Sequence, residues 1–418
     1  MQNHSYTGAS TFPDWPGTET TRVPSWVYTD PALFEREMER FHHGPTWNFV
    51  GLECEVPKPN SWKRGSVGLR SVLLTRDKHG DIHVVENRCS HRGSPICWEL
   101  SGEGSGLNCP YHQWRFALNG DLTGLPFQDG LKGVGGMPAD FDKARHPLRK
   151  LHAVRRGGAV WASFDEAPPP FEDYAGPAVL AAIDRIAGRG PLKFLGISRQ
   201  IYRANWKMWI ENARDAYHAT LLHTFLTAFR LIRADLPRPE SVSVNGHIAY
   251  TTFTRPKVDS AASVDAEKEM RKLRTDYDLN DRDTVETTHF DYDDGMNMGF
   301  HLFPSVMYQP HLNAPSFRQI VPLSVDSHEI RWTFFGFEDD DEEMTRRRLK
   351  QANLVGPAGF VTAEDGEVIV KIQPAVTASS DTEQILEMGL RTPGENNTNC
   401  SEYDVRKFYD HYRRVMGF

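Results

Sequence analysis

Two short fragments, Cys89-Ser90-His91 and Cys109-Pro110-Tyr111-His112, each carry one thiol and one imidazole, and 17 residues separate His91 from Cys109. Side chains two or three positions apart converge on one small metal group only if each fragment is a tight loop. The sequence supplies that turn chemistry: Gly93, Ser94 and Pro95 follow the first fragment, and Pro110 lies inside the second. No other feature constrains the chain as strongly, because it forces two separate loops to meet.

Two cysteines and two histidines are the ligands of a Rieske [2Fe–2S] cluster, in which thiolates hold one iron and neutral imidazoles the other, raising the reduction potential. Such a cluster is a one-electron relay. Tetrahedral zinc also accepts two Cys and two His, but zinc-binding fragments usually group cysteines and histidines into separate pairs, whereas here each fragment has one of each. High-potential respiratory Rieske centres add a cysteine after each fragment and join the two in a disulfide. Here Pro110 follows Cys109, and Cys97 has no evident partner. The pattern therefore resembles the lower-potential centres of ring-hydroxylating oxygenases and their ferredoxins, as does the run Tyr111-His112-Gln113-Trp114, where many members carry Gly in place of Gln113.

Length separates oxygenase from ferredoxin. A Rieske relay needs roughly 100 residues, and 418 residues predict two or three domains. A content of 25% charged and 39% hydrophobic residues with net charge −8 has no basic stripe for nucleic acid. No apolar run approaches the ~20 residues that span a bilayer, and the start Met1-Gln2-Asn3-His4-Ser5 opens no signal peptide. The expectation is a bacterial cytoplasmic protein with no membrane or nucleic-acid partner. Cys54, Cys97 and Cys400 read as reduced thiols.

A second metal site is suggested by Glu211 to His223, inside a segment of helical composition from Trp206 to Phe229. Asp215 and His218, three apart, would share a helix face. His218 and His223, five apart, would lie about 140° from each other on a straight helix, so the helix must kink or end between them if both bind one metal. Leu221, Leu222, Phe225 and Phe229 would anchor this helix in a core. Two histidines plus one carboxylate form the facial triad of non-haem Fe(II) oxygenases, which leaves positions open for dioxygen and substrate. The segment Gly356 to Glu367 offers clustered carboxylates after a Gly/Pro-rich loop; alone it reads as an acidic helix start.

Together the Cys/His fragments, the Asn212/Asp215/His218/His223 motif and Glu364-Asp365-Gly366-Glu367 resemble the large (α) subunits of Rieske non-haem iron aromatic-ring-hydroxylating oxygenases, in order along nearly the entire chain. The resemblance implies Cys89, His91, Cys109 and His112 as cluster ligands and His218, His223 and Asp365 as ligands of a mononuclear Fe(II). Many relatives have two consecutive aspartates where this chain has Glu364-Asp365. It also implies that Asp215 orients His218 and reaches the partner subunit's His112, and that Asn212 lies near the iron.

The expected fold class is α+β: a β-rich Rieske domain and a helix-grip-like catalytic domain, an antiparallel sheet with helices. The expected division is an N-terminal arm and helix at 1–41, the Rieske domain at 42–165 and the catalytic domain at 166–418, with Pro168-Pro169-Pro170 at the boundary. Asp30-Pro31 caps a first helix whose apolar face is Leu33, Phe34, Met38 and Phe41. Strands are expected at Ser71–Thr75, Ile82–Val85, Ala159–Phe164, Ser316–Leu323 and Glu329–Phe337. Helices are expected at Asp339–Leu354, acids first and bases later, and at Ser401–Met416. The polar stretch Thr377–Asn399 reads as a mobile loop.

Within the family, Trp15-Pro16-Gly17, Arg22-Val23-Pro24, Gly135-Gly136-Met137-Pro138 and Gly356 to Phe360 resemble enzymes of benzoate-like acids: the salicylate 5-hydroxylases first, then the three-component anthranilate and the terephthalate dioxygenases. An aromatic carboxylate needs a cationic partner in a buried pocket. Arg318 is the candidate, on an apolar strand, and it matches a carboxylate-binding position of the terephthalate enzymes; Arg391 and Arg406 are weaker ones. The resemblance implies electrons from NAD(P)H through a reductase and a ferredoxin, dioxygen as co-substrate, and a small β subunit in an α3β3 assembly. The product is a phenol or, alternatively, a cis-dihydrodiol or catechol. A Rieske electron-transfer protein is the non-catalytic alternative; the second triad argues against it.

Overall fold

The computed structural model describes residues 12–17, 20–229, 232, 241–253, 279–286, 291–292, 296–391 and 398–418. The chain divides into two compact units, Phe41–Phe171 and a second made of the residues up to Arg40 together with Glu172–Phe418.

The Phe41–Phe171 unit is built of short antiparallel strands. Arg70–Arg76 is an inner strand of a four-stranded sheet, between Ile82–Glu86 and Ser61–Val67, with Ser101–Glu103 at the edge. Its consecutive apolar residues Val72, Leu73 and Leu74 follow from burial on both faces. Val72 and Leu74 enter a core with Val50, Val84 and Val160. Leu73 enters another with Val85, Cys89, Cys109, Trp114 and Phe116. Gly80 and Gly120 take the left-handed backbone at φ 92° and 90°. A three-stranded sheet pairs Ala159–Ser163 with His152–Arg156 and Asn48–Leu52.

In the second unit, α1 (Pro31–Glu37) starts as expected, the Asp30 carboxylate accepting from the N–H groups of Ala32 and Leu33. Leu33, Phe34 and Met38 are buried. After α2 (Phe171–Arg189) a seven-stranded antiparallel sheet runs in the order Leu192–Tyr202, Ser327–Phe337, Ala314–Ser324, Val306–His311, Met296–Leu302, His247–Phe253, Ser241–Val244. Helix α3 (Trp206–Arg214), α4 (Ala219–Leu222), α5 (Thr224–Ala228), α6 (Glu342–Val355), α7 (Phe360–Ala378) and α8 (Tyr403–Met416) complete it. The α+β class holds, and no described helix is long and apolar enough to cross a membrane.

Four expectations need correction. The Trp206–Phe229 segment is three helices: the break expected between His218 and His223 is present at the end of α4, and a second one, not expected, follows Arg214. Its anchors are Trp206, Trp209 and Ile210, whereas Leu221 is exposed and Leu222, Phe225 and Phe229 are only half-buried. In α6 the bases do not serve the helix dipole: Arg347 and Arg348 turn inward to Asp283, Asp291 and Asp340, and the last turn has no base. The polar Thr377–Asn399 stretch contains a strand, Glu383–Ile385, paired with Arg22–Pro24; residues 392–397 lie outside the described ones.

Helix α8 buries Val405, Phe408, Tyr409, Tyr412 and Met416, the face its periodicity predicts. It clamps α1 and α3 through buried polar groups. Glu37 bonds Lys207 at 2.6 Å, with both side chains fully buried, and it also accepts from Trp206 Nε1 and the Tyr412 hydroxyl. The single Tyr409 hydroxyl hydrogen goes to Glu211, and its oxygen lies 2.9 Å from the Tyr28 hydroxyl. Burial pushes the Glu211 carboxyl up to about 7 against the pull of these tyrosines and Lys207.

Candidate metal centres

The two Cys/His fragments fold into matching loops. Gly93 N–H donates to Cys89 O and Cys89 N–H to Ser94 O; Gln113 N–H donates to Cys109 O and Cys109 N–H to Trp114 O, all at 2.8–2.9 Å. The fourth residue after each cysteine takes the left-handed backbone: Gly93 at φ 75° and Gln113 at φ 56°. That explains why glycine suits the Gln113 position. Both cysteines are 1% exposed. Burial pushes the Cys89 thiol up, the N–H groups of His91 and Arg92 pull it down, and the neighbouring Cys109 sulfur pushes it up again, leaving it raised. The rings of His91 and His112 lie 4.7 Å apart, and Trp114 stacks on His91 at 4.7 Å. Burial, then the neighbouring His112 and Arg92, lower the His91 pKa and keep it neutral, the form that binds metal. The buried Nδ1 of His112 has no hydrogen-bond partner. A nitrogen left so beside two buried thiols fits the mixed thiolate–imidazole donor set of the [2Fe–2S] cluster. Cys97 is a reduced thiol in the same core, pushed by burial to about 12.

In the second unit the chain turns out of helix at Asp215, before the first histidine, and again at His223. Asp215 ends α3, His218 precedes α4, and His223 at ψ 81° separates α4 from α5. The break comes from Asp215, whose Oδ1 accepts from Tyr217 N–H at 2.8 Å, a local bond that competes with helix. Asp215 and His218 therefore meet across a turn, not along a helix face, with Oδ2 3.3 Å from Nδ1.

His218, His223 and Asp365 converge, their donor atoms all within 4.8 Å of one another. Asp365 Oδ1 lies 3.4 Å from His218 Nε2 and 3.5 Å from His223 Nε2. Each histidine has its other nitrogen held by a carboxylate: Asp215 at His218 Nδ1, and Glu364 Oε2 at 3.1 Å from His223 Nδ1. Glu364 Oε1 also accepts from Thr224 N–H. Asn212 Nδ2 donates to Asp365 Oδ1 at 3.1 Å. Glu364 and Asp365 thus divide the work: Asp365 joins both Nε2 atoms, and Glu364 fixes the His223 ring from behind. They sit in the second turn of α7, not in its first, and Asp365 is buried, so the segment is no exposed acidic helix start. Burial alone would lower the His218 imidazole; the hydrogen bonds to Asp215 and Asp365 outweigh it and raise it to about 9. Two imidazoles and one carboxylate with carboxylate-oriented rings are a donor set that fits a divalent iron.

The sheet face beneath this triad carries Arg318, 6% exposed and opposite Trp332 and Met307 in the register. Its Nη1 donates to Gln309 Oε1 at 2.6 Å and its Nη2 to His311 Nδ1 at 2.8 Å; Nε has no partner. Burial lowers its pKa to about 10 against the pull of Tyr250, Asp365 and Tyr202. Tyr202 stacks on Trp209 of α3 and lies against Gly366 of α7, so both helices cover this face. Of the weaker candidates, Arg391 is exposed, and Arg406 donates to Leu386 O and Met388 O. Sequence reasoning missed Gln309 and His311; the signal was two polar residues at i and i+2, on one strand face.

The Rieske [2Fe-2S] domain family matches residues 46–135, and the ring hydroxylating alpha subunit (catalytic domain) family matches residues 183–417. The large oxygenase component of salicylate 5-hydroxylase from Ralstonia sp is 42% identical, over 97% of this chain and 96% of its own. The anthranilate 1,2-dioxygenase large subunit of Burkholderia cepacia is 36% identical over 97% and 95%. The alpha 2 subunit of the terephthalate 1,2-dioxygenase terminal oxygenase component of Comamonas sp is 37% identical over 96% and 97%. Naphthalene 1,2-dioxygenase from Rhodococcus sp. shares the fold, with TM-score 0.77 at 20% identity over 94% of each chain. Fold and sites define an iron-dependent oxidoreductase that joins a Rieske [2Fe–2S] domain to a mononuclear-iron catalytic domain. The chain belongs to the large (α) subunits of the Rieske-type ring-hydroxylating oxygenases.

Proposed function

We propose that this subunit hydroxylates an aromatic carboxylate of the salicylate type. The observation that carries the reading is Arg318: a buried guanidinium within the field of Asp365, with no carboxylate in ion-pair distance among the described residues. An unpaired buried cation is costly, and a substrate carboxylate would complete it with paired hydrogen bonds.

Cys89, His91, Cys109 and His112 would hold the cluster, and His218, His223 and Asp365 the iron. When bound, the cluster supplies single electrons and the iron supplies dioxygen activation. The protein's own part is positional. Asp215 and Glu364 keep both histidine rings turned with Nε2 inward, Asn212 holds one Asp365 oxygen, and Trp209 packs edge to face on Trp332, the residue opposite Arg318 in the sheet. Asp215 would also reach the partner subunit's His112. Residues 42–165 would form the electron-accepting domain and 166–418 the catalytic one, in a cytoplasmic enzyme fed from NAD(P)H by a reductase and a ferredoxin, with a β subunit in an α3β3 assembly.

The anthranilate- and terephthalate-type relatives at 36 and 37% identity support a second reading, cis-dihydroxylation of a related acid. A single turnover separates the two. Iron-loaded protein is reduced chemically and mixed with dioxygen and salicylate, anthranilate, benzoate or terephthalate, and the products are identified by mass spectrometry. A phenol from salicylate is expected. A diol or catechol from another acid would favour the second reading, and no product from any acid would overturn the carboxylate assignment.

A further inference from the structure

Arg318 has five N–H donors, of which two are committed, to Gln309 and to His311. A guanidinium only donates, so the His311 Nδ1 it touches must be an acceptor, and the His311 proton must sit on Nε2. The Arg318 contact thereby turns His311 into a donor directed away from the arginine. Gln309 is fixed in the same way: its Oε1 is taken by Arg318, which leaves its amide N–H groups facing outward.

Gln309, His311 and Arg318 lie on one face of two paired strands, since Met307 pairs with Arg318, Gln309 with Ser316 and His311 with Ala314. The buried Ser316 hydroxyl on that face has no partner either. An imidazole whose Nδ1 accepts from a guanidinium carries one proton and is neutral, and burial and the Arg318 charge push the same way. It touches the cation directly and lies within the field of His223.

We infer that His311 is a specificity residue, its Nε2–H donating a second hydrogen bond to the substrate's ionised acid group while Gln309 and His311 together aim the Arg318 guanidinium. The inference rests on the carboxylate reading of Arg318. It adds that the pocket recognises the acid with one charged and one neutral donor, a pair that an amide satisfies poorly because its N–H2 would face donors.

The test is calorimetric titration of iron-loaded oxygenase with salicylate and salicylamide, in wild type, His311→Asn, His311→Gln and Arg318→Gln. Iron content and the cluster's visible spectrum check folding. His311→Asn keeps an acceptor near Nδ1 but has nothing at Nε2. It is expected to weaken salicylate binding about tenfold, the scale of one charge-assisted hydrogen bond, with salicylamide unchanged and KM raised more than kcat is lowered. His311→Gln, which restores an N–H near Nε2, is expected to recover most of the affinity. Salicylate binding by His311→Asn equal to wild type would overturn the donor role of His311 while leaving Arg318 in place. An Arg318→Gln protein that still prefers the acid would instead remove the carboxylate reading and this inference with it.

Discussion

The two candidate metal centres position their donor residues by different means. In the Phe41–Phe171 unit the candidates come from two loops with the same backbone bonds, cysteine N–H to the fifth residue on and the fourth residue's N–H back to the cysteine carbonyl. In the other unit they come from the ends of short helices and from the second turn of α7, and side-chain carboxylates turn the rings. A backbone-defined site is local and tolerates change in its surroundings. A site defined by side chains depends on every residue that orients a ligand.

The largest expected effect tests whether the two centres are separate. His218→Ala or His223→Ala should abolish hydroxylation and mononuclear iron binding while leaving the cluster's visible and circular-dichroism spectra unchanged; loss of the cluster as well would break the comparison. Next, Glu364→Ala should weaken iron retention by ~10–100-fold in chelator competition, and Asp215→Ala should do the same. Wild-type retention in Glu364→Ala would mean that His223 needs no orienting carboxylate.

A smaller effect concerns the scaffold behind Asp215. Glu211 has a folded-state pKa of about 7, above its ordinary 4.5, so between these values the folded protein binds the extra proton. Its contribution is therefore favourable below pH 4.5 and fades as pH rises through 7. Glu211→Gln, which mimics the protonated form, should flatten this decline, gaining up to a few kcal/mol relative to wild type near pH 7.5 and little at pH 5. Equal pH profiles of Tm would contradict the burial argument. The smallest effect is at Gln113, held at φ 56° where its counterpart is Gly93. Gln113→Gly should raise stability by about 0.5 kcal/mol in denaturant titration; a loss would mean that the Gln113 side chain contributes more than its backbone strain costs.

The cluster fragments were legible because their ligands lie two or three residues apart, and the strands Arg70–Arg76 and Ala159–Ser163 because their apolar runs are short and bounded by turns. The α8 face was legible from its period. The region around His218 was harder. Its residues have helical composition, yet one Asx bond from Asp215 to Tyr217 N–H and the non-helical ψ of His223 divide it, and neither leaves a periodic trace. The pairing of Glu364 with His223 joins residues 141 apart in sequence, so adjacency alone could not separate it from Asp365 as ligand. Resemblance favoured Asp365, and geometry adds what Glu364 does. The inward turn of Arg347 and Arg348 was likewise hidden, because Asp283 and Asp291 lie in other segments and Asp340 precedes the helix rather than following it along one face.

The most direct test of this division of labour is electron paramagnetic resonance of the ferrous protein with nitric oxide, in wild type, Asp365→Ala and Glu364→Ala, each reconstituted with excess Fe(II). The account predicts the mononuclear iron–nitrosyl signal in wild type, its loss in Asp365→Ala, and its return in Glu364→Ala at higher iron concentration. A full signal in Asp365→Ala together with none in Glu364→Ala at any iron concentration would contradict it and make Glu364 the ligand.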